Sequence, residues 1–95
     1  MFILRSTNQV VPIGDVIQGK RYVVVITSQD PVAATLEFQH CDDPNWYTYP
    51  GFTGTAAAVI YNVIHAFTPT LRISFATEPT TPCSISVIDE SVASF

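Results

Sequence analysis

The sequence predicts an all-β fold: an antiparallel β-sandwich of about seven or eight strands, either Ig-like or jelly-roll-like. Short runs of alternating apolar and polar residues recur along the 95-residue chain, and turn residues bound each run. Only 13% of the residues are charged against 47% that are hydrophobic, which leaves few charges to cover the surface of a small domain. We therefore expect one domain over residues 1–95, with part of its surface covered by other protein.

Five segments have the alternation that is typical of strands. They are residues 10–13, 20–27, 33–39, 70–76 and 83–88. In the fourth segment Leu71, Ile73 and Phe75 point to one face and the polar residues between them to the other, as a half-buried antiparallel strand requires. Residues 22–26 are apolar on both faces, which predicts a central strand or one whose outer face meets a neighbour. Residues 30–31, Asp-Pro, predict a turn after the second segment.

Residues 56–67 fit two patterns. Val59, Ile60, Val63 and Ile64 form a helical stripe as well as part of an apolar strand. Because β-branched residues crowd the preceding turn of a helix and every neighbouring element reads as a strand, we predict a strand here.

The two ends of the chain are open to two interpretations. Residues 1–7 and 89–95 are either frayed ends or extended arms that dock on a neighbouring molecule. In the second case, Phe2 and Phe95 are the candidates for the contact.

The charge and the apolar segments exclude several classes of partner. The net charge is −4, and the four basic residues form no long run, so we expect no nucleic-acid binding. The N-terminus lacks the basic stretch and the apolar core of a signal peptide, which indicates synthesis in a cytoplasm. No segment approaches the roughly twenty apolar residues of a membrane span, so no membrane association is expected. In a reducing compartment Cys41 and Cys83 are expected to be free thiols.

Residues 40–43, His-Cys-Asp-Asp, gather four metal-ligating side chains. Adjacent carboxylates at Asp42 and Asp43 could attract a hard cation such as calcium. A calcium loop, however, needs several oxygens at spaced positions, and neighbouring side chains on extended backbone point apart. The favoured interpretation is an Asx-type turn with Cys41 packed inward. We expect no metal and no cofactor, and Asp42 and Asp43 are the only metal candidates.

The chain also holds the residue types of a nucleophilic triad, at His40, His65, Cys41 and Cys83. It has no Gly-x-Ser-x-Gly turn, no Gly-rich phosphate loop and no Cys-x-x-Cys pair. We therefore predict no catalytic residues and no enzymatic activity.

Residues 46–52 contain four of the eleven aromatic residues of the chain: Trp46, Tyr47, Tyr49 and Phe52. Such side chains offer large rigid faces with a polar tip. Three roles remain open at this point. The segment could close one end of the sandwich, anchor a protein interface or stack on sugar rings.

Four segments carry a resemblance to a known family. They are residues 34–38 (Ala-Thr-Leu-Glu-Phe), 42–47 (Asp-Asp-Pro-Asn-Trp-Tyr), 59–63 (Val-Ile-Tyr-Asn-Val) and 69–75 (Pro-Thr-Leu-Arg-Ile-Ser-Phe). Together, over residues 20–88, they resemble small β-sandwich structural proteins of tailed-bacteriophage virions. The resemblance implies a non-enzymatic protein that oligomerises and attaches to a capsid, neck or tail.

The leading hypothesis is therefore a virion structural protein whose partners are copies of itself and other virion proteins. Apolar sandwich faces and the aromatic segment would be buried between subunits. The alternative is a carbohydrate-binding module that uses Trp46, Tyr47 and Tyr49, with Asp42 and Asp43 binding calcium. A small monomeric adaptor domain is the third hypothesis.

Overall fold

A computed structural model describes residues 2–14, 16–52 and 56–91, which form eight strands and no helix. The strands are β1 (Phe2–Ser6), β2 (Val10–Ile13), β3 (Arg21–Val32), β4 (Ala34–Phe38), β5 (Tyr47–Thr48), β6 (Ala57–His65), β7 (Leu71–Phe75) and β8 (Cys83–Asp89). These ranges contain no helix that is long and apolar enough to span a bilayer.

The strands form two antiparallel sheets of four strands each. Sheet I has the order β1-β8-β3-β6, and sheet II has the order β2-β7-β4-β5. The first strand pairs with the eighth, the second with the seventh, the third with the sixth and the fourth with the fifth. This is the order of a long hairpin wound into two sheets, the jelly-roll arrangement. The β-sandwich is thus confirmed, and the Ig-like alternative is wrong because its sheets would follow ABED and CFG.

The core lies between the two sheets and follows the predicted alternation. Leu71, Ile73 and Phe75 are buried on β7 while the residues between them are half-buried. Cys83, Ile85 and Val87 repeat the pattern on β8. The other buried apolar residues on strands are Val11, Ile13, Tyr22, Val24, Ile26, Ala34, Leu36, Ile60 and Ile64.

Strand β3 is central in sheet I, as the two-sided apolar run predicts, because it pairs with both β6 and β8. It runs further than expected. Residues 30–31 do not end the strand; they lie in a break of register between Thr27 and Val32. Since Pro31 has no N–H to offer a ladder, it fits this irregular stretch. Residue 33 then separates β3 in sheet I from β4 in sheet II.

The ambiguous segment 56–67 is a strand, β6, as predicted. The expected arm at residues 1–7 differs from the structure, in which residues 2–6 form the edge strand β1 in register with β8. The sequence did not predict this pairing, because the partner strand lies about eighty positions further along the chain and no short turn joins the two. At the other end, β8 extends to Asp89 and residues 90–91 form a turn, while residues 92–95 of the predicted arm lie outside the described residues.

A turn over residues 17–20 leads into β3. Gly19 adopts a φ of +89°, and the Lys20 N–H donates to the Ile17 carbonyl over 3.1 Å. A positive φ at this position is what glycine tolerates. The buried Tyr22 fixes the same turn, because its hydroxyl accepts a hydrogen bond of 2.7 Å from the Ile17 N–H.

Candidate functional site

The outer face of sheet I has an apolar centre between polar ends, and an apolar centre is unusual for a sheet surface turned away from the core. Alternation along each strand fixes its members, because the residues next to them are those buried against sheet II. The apolar members, which we call the sheet I outer face, are Ile3, Val23, Val25, Val59, Tyr61, Val63 and Ile88.

Strand register arranges these side chains in rows across the sheet. One row pairs Val23 with Val63 on one side and Ile88 on the other. The next row contains Val25 and Tyr61. Directly opposed cross-strand residues have Cβ atoms about 5 Å apart, so the apolar members of each row form a short strip. The second row continues through the polar Ser86 to Ile3.

Exposure varies sharply over this face. Val23 is only 2% exposed although it lies outside the core cluster, which means that its neighbours on the outer face cover it. The outermost side chains stay open to solvent: Ile3 is 67% exposed, Val59 63% and Tyr61 52%. Exposed apolar patches on small proteins are typical of interaction surfaces.

The outer face of sheet II is polar by contrast. Arg72 on β7 and Glu37 on β4 are register partners, and Arg72 Nε donates to Glu37 Oε1 over 2.8 Å. The guanidinium of Arg72 also lies over the Trp46 ring, with 4.0 Å from Cζ to the ring centroid. Trp46 is therefore bound to the sheet surface by a cation–π contact, and one of its faces is occupied within the chain.

The other aromatic residues of the predicted segment separate from Trp46. Tyr47 and Tyr49 join a cluster with Phe38 and Phe67 at one end of the sandwich. The rings of Tyr49 and Phe67 stack with their centroids 5.1 Å apart, and the ring of Phe38 meets Phe67 edge-on at 5.5 Å. The ring centroids of Phe38 and Tyr47 lie 5.8 Å apart. Ring pairs at these distances are favourable beyond the area that they bury. The geometry matches the role of closing one end of the sandwich.

Two further contacts fix this end of the fold. The Tyr49 hydroxyl accepts a hydrogen bond of 2.7 Å from the backbone N–H of His65, and the His65 ring lies 5.6 Å from Phe67. Phe52 does not join the cluster contacts, because it is buried in the main core. Of the four predicted aromatic candidates, the structure thus brings Tyr47 and Tyr49 together and places Trp46 and Phe52 elsewhere.

The predicted Asx-type turn is confirmed at residues 43–45. Asp43 Oδ1 accepts from the Asn45 N–H over 2.9 Å, and Oδ2 accepts from the Tyr47 hydroxyl over 2.6 Å. The Tyr47 bond first and the Asn45 bond second hold the pKa of Asp43 below its ordinary value. The bond to Asp43 raises the pKa of Tyr47. Both Asp43 oxygens are therefore engaged by the protein itself.

The neighbouring residues differ from what was expected in one respect. Asp42 is exposed with a φ of 64°, in the left-handed region that Asp tolerates. Cys41, expected to pack inward, is exposed instead, and Cys83 is buried in the core; both are free thiols. Over the part of the chain that the structure describes, no three His, Cys, Asp or Glu side chains gather where they could hold a metal ion.

The terminal candidates are described only in part. Phe2 belongs to β1, where its backbone pairs with Val87, and its side chain is not described. Phe95 lies outside the described residues.

Several residues of the sheet I outer face and of the aromatic cluster were not predicted from the sequence. Val59 and Tyr61 were not predicted as surface candidates, and Ile3 was considered only as part of a possible N-terminal arm. The two-sided apolar pattern of residues 22–26 indicated either a central strand or one whose outer face meets a neighbour. Phe67 was missed because only the tertiary fold brings it to the aromatic segment.

The residues that the structure describes form a small eight-stranded jelly roll with exposed apolar side chains on the outer face of one sheet. Comparison with known proteins adds no relative: the chain matches no protein-family model, no curated protein and no solved structure.

Proposed function

We propose that this chain is a non-enzymatic structural protein of a virion that associates with copies of itself through the sheet I outer face. The observation that carries the proposal is the exposure of Ile3, Val59 and Tyr61 around an apolar sheet centre. Burying apolar area is worth about 25 cal/mol per Å² before the costs of association are subtracted. Jelly rolls build viral capsid domains, which agrees by analogy of fold with the phage resemblance.

The partner that this face fits is a second copy of the chain. A two-fold axis in the plane of the face and perpendicular to the strands places the Thr27 end of one copy over the Arg21 end of the other. Arg5 lies at the Thr27 end, because both Arg5 and Thr27 are register partners of Ser84. Glu90 lies at the Arg21 end, where it pairs with Arg21. The axis therefore places Arg5 of each copy at a lateral offset of about one strand spacing from the other copy's Glu90, across the roughly 10 Å that separates packed sheets. Glu90 already pairs with Arg21 of its own copy, so Arg5 would meet an ion pair at that end.

The size of the face sets the strength of the contact. Four strands spaced about 4.8 Å apart and seven residues that rise about 3.3 Å each give a face of about 19 by 23 Å. Two such faces bury about 900 Å² of flat area, which is below the roughly 1,200–2,000 Å² of a stable specific complex. A single pair is thus expected to be weak, and an assembly of many copies would reinforce it through effective concentration.

A carbohydrate-binding module is the second candidate, because the cluster at the sandwich end leaves Tyr47 and Phe67 partly exposed and jelly rolls also form lectin domains. Its proposed platform is divided, since Trp46 stacks on Arg72 and the Tyr47 hydroxyl is bonded to Asp43. A sugar ring would therefore meet separate aromatic residues and not one surface.

Solution mass measured by light scattering over a wide concentration range tests the proposal, with a glycan-binding assay on the same sample. We expect a reversible rise in mass with concentration and no glycan retention, in wild type and in Trp46→Ala alike. A monomer at every concentration would contradict the structural role. Glycan retention that Trp46→Ala abolishes, with the mass unchanged, would establish the binding module.

A further inference from the structure

A polar cleft of about 380 Å³ opens at the Thr27 end of sheet I, next to the apolar face. The break of register in β3 leaves residues 28–31 outside the ladder with β6, and β8 begins only at Cys83. The polar side chains that line the cleft are Arg5, Thr27, Ser28, Gln29, Thr81 and Ser84. No carboxylate lines it; Asp30 and Glu78 line the adjoining cleft on the other side of Ser28.

Arg5 differs from the other basic side chains of the molecule. The three others each pair with a carboxylate: Lys20 with Asp89 at 3.3 Å, Arg21 with Glu90 at 3.5 Å and Arg72 with Glu37 at 2.8 Å. Among the described residues Arg5 has no ion-pair partner, although the chain carries eight acidic residues against four basic ones. An arginine without a partner in a net acidic protein offers its whole donor fork to a ligand.

A second observation in the same cleft points to a hydrogen-bonding ligand. Ser28 Oγ is buried and makes no hydrogen bond to any described residue. A buried hydroxyl without a partner costs about 1–3 kcal/mol, and a bound molecule or ion is one explanation for such a group. Thr27 and Ser84, which are register partners at the end of the β3–β8 ladder, add two more hydroxyl-bearing side chains.

We infer that this cleft binds an oxyanion, a phosphate or a carboxylate, through the Arg5 guanidinium and the hydroxyls of Thr27 and Ser84. A guanidinium matches the two oxygens of such groups with parallel N–H donors, and hydroxyls donate to the remaining oxygen lone pairs. The site does not depend on the proposed self-association. Two sources can supply the oxyanion: a free phosphate in solution, or the Glu90 carboxylate of a second copy on the sheet I outer face.

Titration of dilute protein with sodium phosphate, followed by amide NMR at constant ionic strength, tests the site. We expect saturable shifts at residues 27–29 and 81–84 with a dissociation constant in the millimolar range, and roughly tenfold weaker binding in Arg5→Gln because a charge-assisted pair is lost. Arg21→Gln is the matched control, since it removes an exposed arginine of the same sheet outside the cleft and should leave the titration unchanged. Linear shifts, or equal binding in Arg5→Gln, would overturn the site.

The self-association of Arg5→Gln in phosphate-free buffer then distinguishes the sources. Weaker association than wild type identifies the second copy's carboxylate as the occupant, and unchanged association together with phosphate binding identifies a free oxyanion. Both results retain the site. A monomeric wild type that still binds phosphate would contradict the proposed function alone, so the two failures are separable.

Discussion

Replacing Val59 with lysine should weaken self-association strongly, because this side chain stands at the open edge of the sheet I outer face. Complete burial of a valine is worth about 1.5 to 2.5 kcal/mol, and 63% of Val59 is exposed and free to be covered. That fraction gives about 1–1.5 kcal/mol for one copy and about 2–3 kcal/mol for a two-fold pair. The dissociation constant should therefore rise by about 30-fold to 150-fold.

Sedimentation velocity over a concentration series measures this change, and the chain offers a matched control. Val10 is also an exposed valine on an edge strand, but it lies on the opposite sheet. Val10→Lys should leave the association curve at its wild-type position. If Val59→Lys associates as wild type does, or if both variants weaken equally, the assignment of the interface to sheet I is refuted.

Three other substitutions or conditions have defined outcomes. Ile73→Ala empties a fully buried position and should cost about 2–5 kcal/mol in urea unfolding, and a loss below about 1 kcal/mol would mean that the core is not packed there. Arg72→Ala removes a half-buried ion pair and the contact with Trp46; we expect a loss of about 1–2 kcal/mol and a changed tryptophan emission spectrum, whereas an unchanged spectrum would place Trp46 elsewhere. The hydrogen bond between Asp43 and Tyr47 lowers the pKa of Asp43 and raises the pKa of Tyr47. Its contribution to stability is therefore present at neutral pH, is lost as pH falls through the lowered pKa of Asp43, and is lost again as pH rises through the raised pKa of Tyr47. Tyr47 ring signals in NMR that do not move over either pH range would contradict this bond.

Much of the fold could be predicted because residue alternation reports directly on burial. The alternation of Leu71, Ile73 and Phe75 with polar residues predicts one buried face, and all three are buried in the structure. The same rule does not state which strands are neighbours, so the jelly-roll order was left open against an Ig-like one. Strand β1 was missed for a related reason: its pairing partner lies at the far end of the chain.

The candidate site was predictable in kind but not in place. The two-sided apolar pattern around Val23 and Val25 indicated either a central strand, which β3 is, or an outer face that meets a neighbour, which stays a prediction. The exposed partners Val59 and Tyr61 follow only from the register of β6 against β3. The aromatic segment shows the limit most clearly, because Trp46 and Tyr47 are adjacent in sequence yet contact different parts of the fold: Trp46 stacks on Arg72, and Tyr47 packs against Phe38.

The accessibility of valine methyl groups to a soluble paramagnetic probe, measured by NMR at low and high protein concentration, tests the central claim most directly. Concentration should bring a second copy over the sheet I outer face, so we expect the methyl groups of Val25, Val59 and Val63 to become protected while those of Val10 stay accessible. Equal accessibility of Val59 at both concentrations, in a sample whose mass has risen, would show that the copies meet through another surface.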